Sequence, residues 1–171
     1  KQKNMGKAAA YNHGVSLAKC IYLTCVDSDD WLPKNAIKNK ISLMQMYNNL
    51  PSICGVTGVC VRVDNSIIGT KFLKEGITGS KASLDKLAPG DKANVFKTEI
   101  LKKFPFPHFF GEKFLPEGII YNRMHQAGYQ FISTNTTLKI VEYQSGGLSD
   151  TALKMRLDSI NGTIAYYQEM S

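Results

Sequence analysis

Three carboxylates stand within four positions, Asp27, Asp29 and Asp30, in the run Ile21-Tyr22-Leu23-Thr24-Cys25-Val26-Asp27-Ser28-Asp29-Asp30-Trp31-Leu32-Pro33. Crowded carboxylates repel one another, and burial raises their pKa values further. A divalent cation, or a ligand rich in hydroxyls and amines, removes that conflict. Hard oxygen donors with no histidine among them favour Mg²⁺, Mn²⁺ or Ca²⁺ over Zn²⁺. The bland alternative is turn and cap chemistry, since Asp is common in turns and Pro33 suits the first position of a helix.

Something must aim these acids. Residues 21–26 are apolar and β-branched and read as a buried strand, too short for a lone helix. Open α/β sheets bind ligands just past the carboxyl ends of strands, where the acids fall. The strand is therefore expected to be flanked on both sides, with the acidic cluster at the edge of a central sheet.

The other elements follow in order. Residues 4–18 read as a helix with small apolar residues. Pro33 opens a second helix to about Tyr47, with Ile37, Ile41 and Met44 on one stripe. Residues 53–63 read as a buried strand, turned at Asp64-Asn65. From 69 to 90 the pattern dissolves into a loop, and 94–103 is a short mixed segment. The prolines of 104–110 exclude a helix, and its aromatic residues suit packing better than a binding platform. Pro116 opens a helix over 117–127, with Ile119, Ile120 and Met124 inward and Gly128 closing it. Residues 129–133 and 138–143 are short strands. Gly146-Gly147 links to a last helix, 150–168, carrying Leu153, Leu157, Ile160 and Ile164 at helical spacing. This alternation predicts an α/β fold, a three-layer α/β/α sandwich.

Composition narrows the function. The 171 residues carry a formal charge of +7, with 43% hydrophobic and 20% charged residues, ordinary for one globular domain. No apolar run approaches the roughly 18 residues that span a bilayer, and no secretion signal is visible. Cys20, Cys25, Cys54 and Cys60 lack CxxC spacing and read as free buried thiols of a reducing cytoplasm. The basic balance suits a phosphate-bearing substrate or an anionic membrane surface; the lysines are scattered, and no nucleic-acid motif accompanies them.

The series Asn4-x-Gly6-(x)3-Ala10-x-Asn12-x-Gly14, a hydrophobic strand, then Asp27-Ser28-Asp29-Asp30-Trp31-Leu32-Pro33 resembles the family 2 glycosyltransferases of the GT-A fold. A second match joins Gly90-Asp91-Lys92-Ala93-x-Val95-Phe96 with Gly111-Glu112-Lys113-Phe114-Leu115-Pro116-Glu117-Gly118, and is similar to a bacterial subgroup that builds cell-surface polysaccharide. Together the matches run from Asn4 to Ser149. The resemblance implies an inverting transfer of a sugar from a nucleotide-diphosphate donor to a hydroxyl of a glycan or lipid-linked acceptor. It implies Mg²⁺ or Mn²⁺ as cofactor, no nucleic acid, and a cytoplasmic site of action with peripheral association at the inner face of the plasma membrane.

Residue by residue, the resemblance makes Glu117 the general base, Asp27, Asp29 and Asn12 donor-binding residues, and Asp29 and Asp30 metal ligands. Glu117 could instead complement a helix dipole. Glu112 is either a sugar contact or a loop carboxylate, Arg123 an ion-pair former, and His13, His108 and His125 surface or packing residues. The expected division is a partial catalytic domain over 1–149 and a C-terminal helix over 150–171, packed on it or extending from it. Three departures stand out: no strand–loop–strand opening unit precedes Lys1, Tyr11 replaces a common Arg, and Gln144 or Ser145 stands where a late His often joins the metal. The chain opens Lys-Gln-Lys-Asn, so truncation at the N-terminus is expected. Two rival readings remain: a non-catalytic scaffold of the same fold, and a haloacid-dehalogenase-like phosphatase, which also begins with a strand ending in Asp-x-Asp.

Overall fold

The computed structural model describes residues 4–143 and 152–170. Gln144, Ser145, Gly146 and Gly147, and the expected start of the last helix at Asp150, lie outside the described residues. Five strands form one mixed sheet: β1 Tyr22–Leu23, β2 Ile53–Val61, β3 Thr78–Gly79, β4 Lys92–Lys97 and β5 Gln130–Ile140, in the order β1-β4-β2-β5-β3. β2 and β5 run parallel; the other pairings are antiparallel. All nine residues of β2 are buried, and a central strand covered on both faces needs no polar alternation.

Helices cover both faces. α1 Lys7–Leu17, α3 Lys81–Leu87 and α5 Gly118–Gln126 share one core with Phe96 and Phe131. α2 Ala36–Met46 covers the opposite face, where Met44 joins Val56, Val95 and Ile132. The turn α4 Thr98–Leu101 continues β4, and α6 Ala152–Leu157 and α7 Ile160–Gln168 follow β5, with α7 against α5. The fold is the expected three-layer α/β/α arrangement.

Local expectations fared unevenly. The strand of residues 21–26 is two residues long and lies at the sheet edge, paired only with β4 among the described residues, with Ile21 73% exposed. Apolar, β-branched composition marks a strand but says nothing of how many neighbours it has. α2 starts at Ala36 rather than Pro33, after Asn35 in the left-handed region (φ 62°). Its buried line is Ala36, Lys40 and Met44, while Ile37 and Ile41 are exposed. Residues 69–90 hold β3 and α3; Ser80 caps α3 by accepting from the Ser83 amide at 3.1 Å. The two short strands are one, β5: its polar middle stays in the sheet because Asn135 exchanges hydrogen bonds with the Phe72 backbone and Thr134 donates to Glu75. The last helix is broken between α6 and α7 at Asp158-Ser159, where buried Ser159 accepts from the Phe114 amide at 3.3 Å. Cys54 and Cys60 are buried, but Cys20 and Cys25 are exposed.

Candidate active site

Gly6 sets the start of α1. Its φ is +89°, and a Cβ there would stand 2.1 Å from the Lys113 carbonyl oxygen. That contact clamps the helix start against the segment leading to Glu117. Lys7, the first residue of α1, then reaches two carboxylates distant in sequence: Asp27 Oδ1 at 2.8 Å and Glu117 Oε1 at 2.9 Å. The other Asp27 oxygen faces Lys139 of β5 at 3.5 Å, and Lys139 also pairs with Asp30. The backbone of Trp31 donates to Ile140 at 3.1 Å and accepts from it at 2.8 Å, clipping the acidic loop to the end of β5.

The crowding of acids is therefore met by two lysines. Burial pushes the Asp27 pKa up, but Lys7 and Lys139 outweigh it and hold the carboxyl below its ordinary value. Burial pulls the Lys7 pKa down, and Glu117 and Asp27 more than reverse that. Lys139 follows the same pattern, raised chiefly by Asp30 against the effect of burial. The Asp30 side chain is only 5% exposed and committed to Lys139. Asp29 is exposed and has no side-chain partner among the described residues.

Glu117 is the N-cap residue of α5, yet its carboxylate makes no capping hydrogen bond. It accepts instead from the Tyr121 hydroxyl at 3.1 Å on Oε2, while Lys7 holds Oε1. Tyr121 is buried, accepts from Asn94 Nδ2 at 3.1 Å, and burial raises its pKa well above the ordinary value, so it stays a donor. Asp30, Lys139, Asp27, Lys7, Glu117, Tyr121 and Asn94 thus form one polar chain from the acidic loop to β4.

Two cavities flank that chain. One of about 470 Å³ is lined by Lys7, Tyr11, Thr24, Cys25, Asp27 and Ser28. The other, of about 640 Å³, is lined by Lys7, Lys113, Pro116, Glu117, Arg156 and Asp158. Lys7 lines both. A ligand held at Asp27 and a second held at Glu117 would be separated by that one side chain.

Asn12, Glu112 and Arg123 make contacts within the fold. Asn12 donates to the Phe106 carbonyl and accepts from the Phe106 amide, both at 2.9 Å, which splints α1 to the proline segment. Glu112 accepts from the Asn161 amide, the Asn161 side chain and the Gly162 amide at 2.8–2.9 Å, capping α7; burial opposes its ionisation, but these donors hold its pKa below the ordinary value. Arg123 pairs with Glu169. His13, His108 and His125 are exposed. Tyr11, at the position where Arg is common, packs edge-on to Phe106 at 5.3 Å, and its buried hydroxyl has no partner among the described residues. Sequence reasoning missed Lys7, Lys139 and Tyr121. Only Tyr121 carried a signal: it lies four residues after Glu117, on the same helix face.

A divalent cation was expected. Among the described residues no three His, Cys, Asp or Glu side chains group as a ready-made metal site. Mg²⁺ is commonly held by one or two carboxylates together with substrate phosphates, so a preformed cage is not required. Exposed Asp29, with half-exposed Asp27 beside it, fits such an ion; Asp30, turned to Lys139, is placed less well.

The family model for glycosyl transferase family 2 matches residues 1–111. The chain belongs to that family. The match takes in Lys7 and the acidic loop, and Glu117 lies beyond it. No curated protein matches the chain. Among solved structures, S. aureus TarS 1–349 is similar with a TM-score of 0.59 at 14% identity, covering 94% of this chain and 46% of that one. The same protein in complex with UDP-GlcNAc gives 0.60 at 11%, covering 99% and 51%. The likeness shows a GT-A-type fold, and this family 2 chain spans about half the length of the TarS chains. The phosphatase reading has no support here: β1 runs antiparallel to β4, and the chain belongs to a family of glycosyltransferases.

Proposed function

We propose that this chain carries the donor–acceptor junction of an inverting glycosyltransferase. A nucleotide-diphosphate sugar occupies the cavity at Asp27, and the acceptor hydroxyl enters the cavity at Glu117. One observation carries the reading: Lys7 touches both Asp27 and Glu117, so the acidic loop and the candidate base lie within one side chain's reach. Glu117 takes the acceptor's proton as its oxygen bonds to the anomeric carbon, and the nucleoside diphosphate leaves from the opposite face with the bonding electrons. Asp29, with Asp27, would hold Mg²⁺ or Mn²⁺, whose chemistry is to stabilise the departing diphosphate. Asp27 is also the contact for the rest of the donor.

UDP-GlcNAc, present with the structural neighbour, is the first donor to assay. The acceptor is a glycan or lipid-linked hydroxyl in surface-polysaccharide synthesis, met at the inner face of the plasma membrane; among the described residues no helix is long and apolar enough to cross a membrane. The basic charge of +7 supports work beside phosphates or anionic lipid. The catalytic unit is read as 1–149, with 150–171 a C-terminal segment whose helix α7 lies against α5.

Glu117→Gln tests this. It preserves shape and removes proton acceptance, so kcat should fall about 10²–10⁴-fold with donor KM nearly unchanged. A mutant that transfers sugar at the parent rate would falsify the base assignment. Asp29→Ala should in turn abolish the strengthening of nucleotide binding by Mg²⁺ in calorimetry.

A further inference from the structure

Both carboxylate oxygens of Glu117 are taken, by partners held with different firmness. The Tyr121 hydroxyl is buried and fixed by Asn94. The Lys7 ammonium sits in an ion pair whose side chains are 39% and 43% exposed, and exposed pairs are individually weak. Lys7 also faces the cavity at Asp27, where a diphosphate would bring several negative charges. A phosphate oxygen is a strong charge-assisted acceptor for an ammonium group, and its charge would also weaken the hold of Asp27. Tyr121 cannot follow, because it lies in the core.

We infer that Lys7 is a positioning residue that covers Glu117 while the donor cavity is empty, and that a diphosphate at Asp27 draws its ammonium away and frees the carboxylate for the acceptor. The inference rests on the reading of Glu117 as the base and deepens it. Gly6 supports the same device, since its contact with Lys113 keeps the root of Lys7 fixed while the side chain moves.

Zero-length carbodiimide coupling tests this on the protein as it stands. The reagent joins an ammonium to a carboxylate only where they touch, and mass spectrometry identifies the joined peptides. The parent should yield a Lys7–Glu117 product. Adding Mg²⁺ and inorganic pyrophosphate should lower it about tenfold, as a moderate preference between two positions does. The Lys81–Asp85 pair, remote from both cavities, serves as internal reference and should stay level. Lys7→Arg keeps the charge but lacks the primary amine, and should give no product with or without the probe. A Lys7–Glu117 product that holds steady against the reference overturns the inference, whether pyrophosphate binds by calorimetry or does not. A fall shared equally by both products also overturns it. None of these outcomes depends on turnover, so a Glu117→Gln protein with full transfer activity would remove the base reading and leave the displacement of Lys7 standing.

Discussion

The two partners of Glu117 make position and charge separable by single substitutions. Tyr121→Phe leaves Lys7 in place but removes the buried donor on Oε2 and strands Asn94 Nδ2. It should cost about 1–3 kcal/mol in a thermal melt, the penalty of an unmade buried hydrogen bond. It should also lower kcat without changing donor KM, because the carboxylate loses its fixed side. Lys40 gives a second residue-level prediction. It is 3% exposed, donates to Thr24 Oγ1 at 2.9 Å, and burial, with Lys139 nearby, lowers its pKa from 10.5 to about 8. Between those values the unfolded chain holds the extra proton, so this residue makes stability rise with pH across that window; below pH 8 the folded protein bears a buried ammonium. The melting temperature of Lys40→Met relative to the parent should therefore decline from pH 8 to 10. A constant difference would contradict the assignment. Lys40 also shows what residue types conceal: the expected stripe of α2 was Ile37, Ile41 and Met44, yet the buried line includes Lys40, whose ammonium donates to Thr24. Asp27, Asp29 and Glu117 stand out in the sequence by type and motif, and the fold brings Asp27 and Glu117 together around Lys7. Lys7 and Lys139 look like any other lysine until the chain folds.

Among the elements, α5 was legible almost to its ends because Pro116, the inward Ile119, Ile120 and Met124, and Gly128 agree. α6 and α7 were not. A continuous apolar spacing ran across their break, yet Leu153, Leu157, Ile160 and Ile164 are all exposed. What decides the break is Glu112, which satisfies the N–H groups at the start of α7. A Cβ at Gly162 would stand 2.6 Å from Leu115 Cδ2, so α7 also sits close against this segment. Glu112→Ala should cost about 0.5–2 kcal/mol, the usual range for a lost cap. The loss should localise: amide hydrogen exchange should quicken in α7 and remain slow in β2. Uniform quickening would mean that Glu112 supports more than the helix start.

For the whole molecule, alternating strand and helix signals carried the sandwich, whereas strand order and the edge position of β1 depend on partners far along the chain. β1 pairs with β4, and β2 with β5, across dozens of intervening residues. The clip between Trp31 and Ile140 spans still more sequence and can close only once β5 has docked. Long-range pairing is slow to form, so this contact belongs late in folding. Trp31 is the only tryptophan in the chain, which places a native fluorophore at that contact. In stopped-flow refolding its emission should reach the native value after the far-UV circular dichroism signal; emission that finishes first would contradict the order. The timing matters during synthesis. Asp30 and Trp31 are both held by the last two residues of β5, so the acidic loop sets only when nearly all of the sheet is complete, and a half-made chain carries its carboxylates without the geometry that aims them.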